Sequence, residues 1–272
     1  MKFKRSERLV DMTNYLLEHA RELISLTYFS SKYQSAKSSI SEDLGIIKET
    51  FESQGIGTLQ TVAGASGGVY FNIAVSKEDA KIFVDQLCQQ MSNVNRLLPG
   101  GYLYMTDLLG APNVVDKIGK IFASKFTNEK VDAVMTVATK GIPLAYAVAK
   151  YLNVPVVILR PDSKVTEGST VNINYVSGSN KRIQTMVLSK RSLEEGSHVL
   201  IVDDFMKAGG TINGMTSMLK EFNSFLTGIC VFVEGEETEN RLVSNYTSLI
   251  KLVAVDEKNK QIHLSEGNYF NE

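Results

Sequence analysis

Two cysteines and three histidines are all the soft metal-binding and thiol chemistry this chain of 272 residues carries. Cys88 and Cys230 stand far apart without a partner motif, which excludes a disulfide scaffold or a cysteine zinc site and suits the reducing cytoplasm. His19, His198 and His263 lack metal-ligand spacing, and His198, beside Val199, is expected to cap or pack against a strand. No apolar run approaches the ~20 residues that cross a bilayer. The basic start, Met1-Lys2-Phe3-Lys4-Arg5-Ser6-Glu7-Arg8, is not followed by the apolar core of a secretory signal. There is no Walker loop, no G-x-S-x-G elbow and no short-period repeat. A net charge of −1 gives no global basic field, so nucleic-acid binding would need a local patch. These absences lead to the expectation of a cytoplasmic protein with no membrane partner. The composition, 43% hydrophobic and 22% charged, is that of a globular protein. The length suits two domains on a scale of about 100–200 residues each.

The texture changes near residues 64–76. Before it, Leu9, Met12, Leu16 and Leu17 recur at helical spacing within 8–20, and a short helix is expected around Thr27–Tyr33. Ser39 and Glu42 then read as a capping box. Behind them Ile40, Leu44, Ile47 and Phe51 form one apolar stripe, opposite Lys37, Ser38, Ser41, Gly45 and Lys48. Two strands, 58–62 and 69–73, flank Gly64-Ala65-Ser66-Gly67-Gly68. Helix, helix–turn–helix, hairpin is the order of a winged helix. The stripe-bearing helix would enter the major groove, with Lys37, Ser38 and Ser41 facing DNA and Lys4, Arg5, Arg8 and Lys32 adding positive charge. A small module that only dimerises the protein is the alternative. After about residue 74, β-branched runs at 131–137, 154–159, 199–202 and 229–233 alternate with helical patterns at 142–151 and 212–222. That alternation predicts a mostly parallel sheet flanked by helices. The chain divides into residues 1–74 and 75–272.

The sharpest feature is Val199-Leu200-Ile201-Val202-Asp203-Asp204-Phe205-Met206-Lys207-Ala208-Gly209-Gly210-Thr211. An apolar strand ends in two carboxylates, and a short loop with paired glycines opens a helix. The acids suit vicinal sugar hydroxyls, the glycines let backbone N–H groups approach a phosphate, and Thr211 adds a hydroxyl. Such a place, beyond the carboxyl ends of parallel strands, is where open α/β sheets bind ligands. The string resembles the phosphoribosyl pyrophosphate (PRPP) motif of type I phosphoribosyltransferases. In that pattern the turn Ala138-Thr139-Lys140-Gly141 holds pyrophosphate. Arg160, ending another strand, suits a bidentate grip on the same group. Mg²⁺ would bridge pyrophosphate and ribose oxygens. Tyr102 is either a stacking platform over a nucleotide or a core tyrosine. Glu234–Glu239 reads as a solvated acidic loop.

The combination of winged helix and PRPP motif resembles the purine operon repressor family of Gram-positive bacteria over nearly the whole chain. Its signature segments include Ala36-Lys37-Ser38-Ser39-Ile40-Ser41-Glu42-Asp43, Leu98-Pro99-Gly100-Gly101-Tyr102, Thr136-Val137-Ala138-Thr139-Lys140-Gly141-Ile142-Pro143 and Val165-Thr166-Glu167-Gly168-Ser169-Thr170. The resemblance implies a type I phosphoribosyltransferase-like α/β domain behind an N-terminal winged helix. It implies a homodimeric repressor of purine biosynthesis and transport genes that binds double-stranded operator DNA. It further implies PRPP as the inducer that lowers operator affinity, no catalytic cofactor and no transferase activity. Guanosine tetraphosphate is suggested as a second occupant of the same pocket. One departure from the enzymes is Phe205-Met206-Lys207-Ala208 ahead of Gly209-Gly210-Thr211. Another is the length of the segment between Arg160 and His198, where a catalytic loop would lie. An active purine phosphoribosyltransferase is the alternative function. Two routes from PRPP to DNA release stay open: competition for Lys140, Arg160 and Lys207, or a conformational change.

Overall fold

Helix α1 (Arg5–Glu18) buries Met12 and Leu16. Helix α2 (Leu26–Tyr33) starts on Ser25, whose hydroxyl accepts the Tyr28 N–H at 3.1 Å. Helix α3 (Lys37–Ser53) turns Ile40, Leu44, Ile47 and Phe51 inward, as their spacing requires. Its start differs from the expected capping box. The N-cap is Ala36, no side chain caps the helix, and Ser39 already lies in the first turn. The cause is the tight α2–α3 connection, in which Gln34 takes a left-handed conformation at φ 50° and brings the chain into the helix early. Strands β1 (Gly57–Val62) and β2 (Gly68–Ile73) pair antiparallel with Leu59 opposite Phe71, and Ile24 bridges to Val69. Residues 3–64, 66–99, 102–162, 168–176, 183–236, 241–256 and 259–271 are described in this computed structural model.

A buried acid fastens this unit. Asp43 of α3 is fully buried, and its Oδ2 accepts Arg8 Nε at 2.5 Å while its Oδ1 accepts Arg5 Nε at 2.9 Å. Arg8 also donates to Ser35 Oγ at 3.1 Å, so α1, α3 and the intervening turn are joined. This corrects the expectation that Arg8 faces DNA: it is 8% exposed and its charge is committed inside the module.

Helix α4 (Lys77–Met91) begins on Ser76, whose hydroxyl accepts the Asp79 N–H. The short strands β3 (Leu97–Leu98) and β4 (Tyr102–Leu103) form a ribbon ahead of α5 (Thr106–Leu109) and α6 (Pro112–Lys125). There follow β5 (Ala133–Val137), α7 (Ile142–Leu152), β6 (Val156–Leu159), and the hairpin β7 (Thr170–Val176) and β8 (Ile183–Ser189). Then come β9 (His198–Met206), α8 (Gly210–Glu221), β10 (Phe225–Glu234), β11 (Thr247–Asp256) and β12 (Gln261–Glu266). One six-stranded sheet runs β12-β11-β10-β9-β5-β6, parallel except for β12. Its central strands are apolar on both faces, as a sheet covered on both sides demands. Val134, Leu200, Val202 and Phe232 face the α6–α7 side, while Met135, Val199, Ile201 and Val231 pack under α8 and the β7–β8 hairpin.

The α6–α7 layer also carries the front unit: one apolar cluster is continuous from Met12 and Phe71 through Phe122 to Phe232. Among the described residues no helix is long and apolar enough to cross a membrane. Removing one member of a buried ion pair strands the other, so Asp43→Ala is expected to lower stability by about 3 kcal/mol. Urea unfolding followed by circular dichroism would show it; a loss below about 1 kcal/mol would mean that Asp43 does not fasten α1 to α3.

Candidate functional site

Strand β9 delivers Asp203 and Asp204 to the carboxyl edge of the sheet. Asp203 is 3% exposed, and its Oδ1 accepts the Asp204 N–H at 3.0 Å. Burial first, then the neighbouring Asp204 charge, pushes the Asp203 carboxyl well above its ordinary value. Burial also raises Asp204, against the opposing pull of Asp203 hydrogen bonding and of the Lys140 charge. The turn after β5 abuts this pair. A Cβ on Gly141 would lie 2.3 Å from Thr136 Oγ1 and 3.2 Å from Asp203 Oδ1, so only glycine lets the turn approach the acid. Gly209, at φ 80°, makes the left-handed step that starts α8.

The loop between β9 and α8 is anchored by two backbone hydrogen bonds. Gly235 N–H donates to the Met206 carbonyl at 2.7 Å, and Leu242 N–H to the Ala208 carbonyl at 2.9 Å. Both anchors flank Glu234, which is 4% exposed and not the solvated loop acid expected from the sequence. Its Oε2 accepts Arg241 Nη1 and Tyr246 OH, each at 2.6 Å, and its Oε1 accepts Ser248 Oγ at 2.8 Å. Hydrogen bonds from Tyr246, Arg241 and Ser248 hold its carboxyl below the usual range despite burial. Residues 237–240 of the expected acidic loop lie outside the described residues.

These elements enclose a cavity of about 690 Å³. One stretch of lining mixes polar and apolar groups: Lys140, Asp203, Asp204, Phe205, Met206, Lys207, Ala208, Gly209, Gly210 and Thr211. Leu98, Pro99, Leu103, Met105, Leu252 and Val255 give the lining an apolar wall. Tyr102, at 55% exposure, stands at this wall and is no core tyrosine. Of the turn Ala138–Gly141, Lys140 lines the cavity and Gly141 is buried behind it. Arg160 does not join the lining; its backbone pairs with Val187 of β8 in both directions, which turns that strand end toward the hairpin.

Reasoning from sequence missed Tyr175 of β7. Its phenol is raised chiefly by burial, with Thr211 bonding and the Asp203 charge also acting on it, so the hairpin stands beside the motif. It also missed the apolar wall, because ordinary Leu, Met and Val carry no motif. Of the segment between Arg160 and His198, residues 163–167 and 177–182 lie outside the described residues, as does the Val165–Glu167 part of one signature segment. His198 packs against Phe225, ring centroids 5.1 Å apart.

In the front unit, Lys4, Lys37, Ser38 and Ser41 are exposed. Arg5 is half-exposed while pairing with Asp43. Lys32 pairs with Asp11 at 2.7 Å and lies over the Tyr15 ring at 4.9 Å, and that pairing lowers the Asp11 carboxyl.

A family model described as the N-terminal domain of the bacterial purine repressor matches residues 4–73, and a phosphoribosyl transferase domain model matches residues 105–267. A relative from Bacillus subtilis (strain 168), named purine biosynthesis transcriptional repressor PurR, is 62% identical over 269 residues, 99% of this chain and 94% of that one. The chain belongs to the PurR family. Another family member, the purine biosynthesis transcriptional activator PurR of Lactococcus lactis subsp. lactis (strain IL1403), is 49% identical over 99% of both chains. Among solved structures, adenine phosphoribosyltransferase from Thermoanaerobacter pseudethanolicus superposes with a TM-score of 0.53 at 20% identity. That match covers 61% of this chain and 98% of the enzyme, and it shows a shared fold.

The Asp203 shift has a sign that can be checked. A carboxyl raised in the folded state stabilises fully below its unfolded pKa of about 3.8 and loses that contribution as pH rises toward its folded value. Asp203→Asn is therefore expected to raise the stability of the ligand-free protein at pH 8 by about 1–3 kcal/mol. The gain should shrink as pH falls toward 4. Thermal melts across that range test it; a pH-independent loss of stability would contradict the assigned burial.

Proposed function

We propose that this chain is a transcriptional repressor of purine biosynthesis genes whose front unit binds double-stranded operator DNA and whose α/β domain binds PRPP as inducer. The observation that carries the proposal is the cavity wall in which Asp203–Thr211 and Lys140 converge on one space, attached to a winged helix. Asp203 and Asp204 would receive the ribose hydroxyls. The loop 207–211 would receive the 5′-phosphate at the N-terminus of α8, and Lys140 the pyrophosphate. A bound hydroxyl gives the buried carboxylate the donor that burial has denied it. Mg²⁺ would enter on PRPP's own oxygens, and guanosine tetraphosphate is a competing occupant whose guanine the apolar wall could hold. PRPP is held as a signal without being consumed.

On DNA, the uncapped start of α3 offers its first N–H groups to phosphate, with Lys37, Ser38 and Ser41 beside them. The acids Glu42, Glu49 and Glu52 lie farther along the same helix and would oppose entry of its C-terminal half. Lys4, Arg5 and Lys32 supply flanking charge; Arg8 does not. A homodimer would present two such helices to an operator.

The L. lactis relative, named an activator, favours a second sign of regulation through the same site. The transferase alternative draws on the Asp203–Thr211 motif, the phosphoribosyl transferase domain match and the shared fold. Asp203→Ala with Asp204→Ala is expected to keep operator affinity within about twofold while losing the response to PRPP, which in allosteric proteins is about 5–150-fold. Gel shifts of a purine-gene promoter with and without PRPP read the outcome. Release of DNA by PRPP from the double variant would refute the inducer site, and stronger DNA binding by the wild-type chain in PRPP would assign the activator sign.

A further inference from the structure

We infer that Arg21 is the positioning residue through which the PRPP site and the winged helix communicate; this rests on the proposed function. Arg21 lies in the turn between α1 and α2, and its N–H donates to the Phe71 carbonyl of β2 at 2.8 Å. Its side chain leaves the front unit altogether. Nη2 donates to the Glu129 carbonyl at 2.8 Å, and Nη1 reaches the Leu152 carbonyl at 3.5 Å, a long contact.

Those two carbonyls are the feet of a single βα unit. Glu129 lies in the turn that feeds β5, and Leu152 is the last residue of α7. Between them, at the apex, is the turn carrying Lys140 and Gly141 against Asp203. The helix that joins apex to foot has 11 residues, about 16 Å at 1.5 Å per residue. It packs closely on α6: a Cβ on Gly119 would lie 2.6 Å from Ala147 Cβ and 2.7 Å from the Ala147 carbonyl carbon. The same end of the sheet is tied to β9. Asp132 Oδ2 accepts the His198 N–H at 2.8 Å, and the Asp132 N–H donates to the His198 carbonyl at 2.7 Å. Asp132 also sits close enough for its charge to stabilise the Arg21 cation. One guanidinium of the front unit therefore bonds the turn that leads into β5 and the last residue of α7, the two ends of the βα unit whose apex carries Lys140, and β9 is tied to the same end through Asp132 and His198.

The backbone of Arg21 supports a role for the side chain. At φ 60° it occupies the left-handed region, where glycine or asparagine sits at lower energy. A residue kept in strain is held there by its surroundings; here the Phe71 carbonyl of the front unit holds the Arg21 N–H, and the Glu129 and Leu152 carbonyls of the α/β domain hold its side chain. A ligand that pulls the apex turn shifts α7 and the start of β5 together, and Arg21 passes that shift to β2 and the α1–α2 turn, against which α3 packs.

The test uses the full chain, with operator affinity measured by fluorescence anisotropy at several PRPP concentrations and PRPP affinity measured by calorimetry. Arg21→Gly suits the left-handed backbone and removes the grip. It is expected to keep DNA affinity without PRPP, and PRPP affinity without DNA, each within about threefold of wild type. The ratio of operator affinities without and with PRPP should fall from a wild-type value of about 5–150 to within about twofold of one. A merely structural role would lower both affinities or the melting temperature and leave the ratio in place; a wild-type ratio in Arg21→Gly overturns the inference. Should Arg21→Gly fail to fold, Arg21→Lys decides: it keeps the charge but lacks the two-armed fork, so a reduced ratio supports the inference and a full ratio overturns it. If wild-type protein shows no response to PRPP, the proposed function fails and takes the inference with it, an outcome distinct from response in both proteins.

Discussion

An acid side chain buried at the carboxyl end of a central strand, with no guanidinium partner among the described residues, governs this molecule. Asp203 sits at the end of a strand that is apolar on both faces, and its carboxylate accepts the N–H of the next residue. Burying a carboxyl in this way costs free energy, and a core chosen for stability alone would place an asparagine or an apolar residue there. The rest of the site follows from tolerating that acid. Gly141 makes room for it, the neighbouring Asp204 charge raises its carboxyl beyond what burial does, and the loop to α8 is anchored by the Gly235 and Leu242 N–H groups on the Met206 and Ala208 carbonyls. In the proposed function, a ligand with paired hydroxyls and phosphates is the partner for this site.

The front unit uses a buried charge in the opposite way. Asp43 is satisfied by Arg5 and Arg8, and the pair serves to set α1 against α3. One acid lies on an amphipathic helix and the other ends an apolar strand; both are buried, yet one is structural and the other faces a cavity. Residue type cannot separate them; the difference is whether a guanidinium from another element reaches the carboxylate.

Much of the architecture was legible because it rests on local rules. The stripe Ile40, Leu44, Ile47 and Phe51, the hairpin around the Gly-rich turn and the βα alternation of the second unit all appear where periodicity places them. The motif Asp203–Thr211 was legible because backbone approach to a phosphate demands glycine at fixed places. What was hidden depended on distant contacts. The start of α3 was set by a left-handed Gln34, not by a capping box. Arg8 was expected to face DNA and Glu234 to be solvated, and both are buried in pairs; the backbone of Arg160 pairs with Val187 of β8. The apolar wall is assembled from the β3–β4 ribbon and β11, segments separated by more than a hundred residues in sequence.

Family membership fixes the kind of protein, and its members named repressor and activator show that one scaffold supports either sign. If DNA and PRPP compete energetically through one fold, their coupling is reciprocal. The most direct test is calorimetric titration of PRPP into the protein alone and into the protein saturated with operator duplex. PRPP should bind the complex more weakly, by the same factor of about 5–150 by which it weakens operator binding. Equal PRPP affinity in both titrations would contradict the coupling.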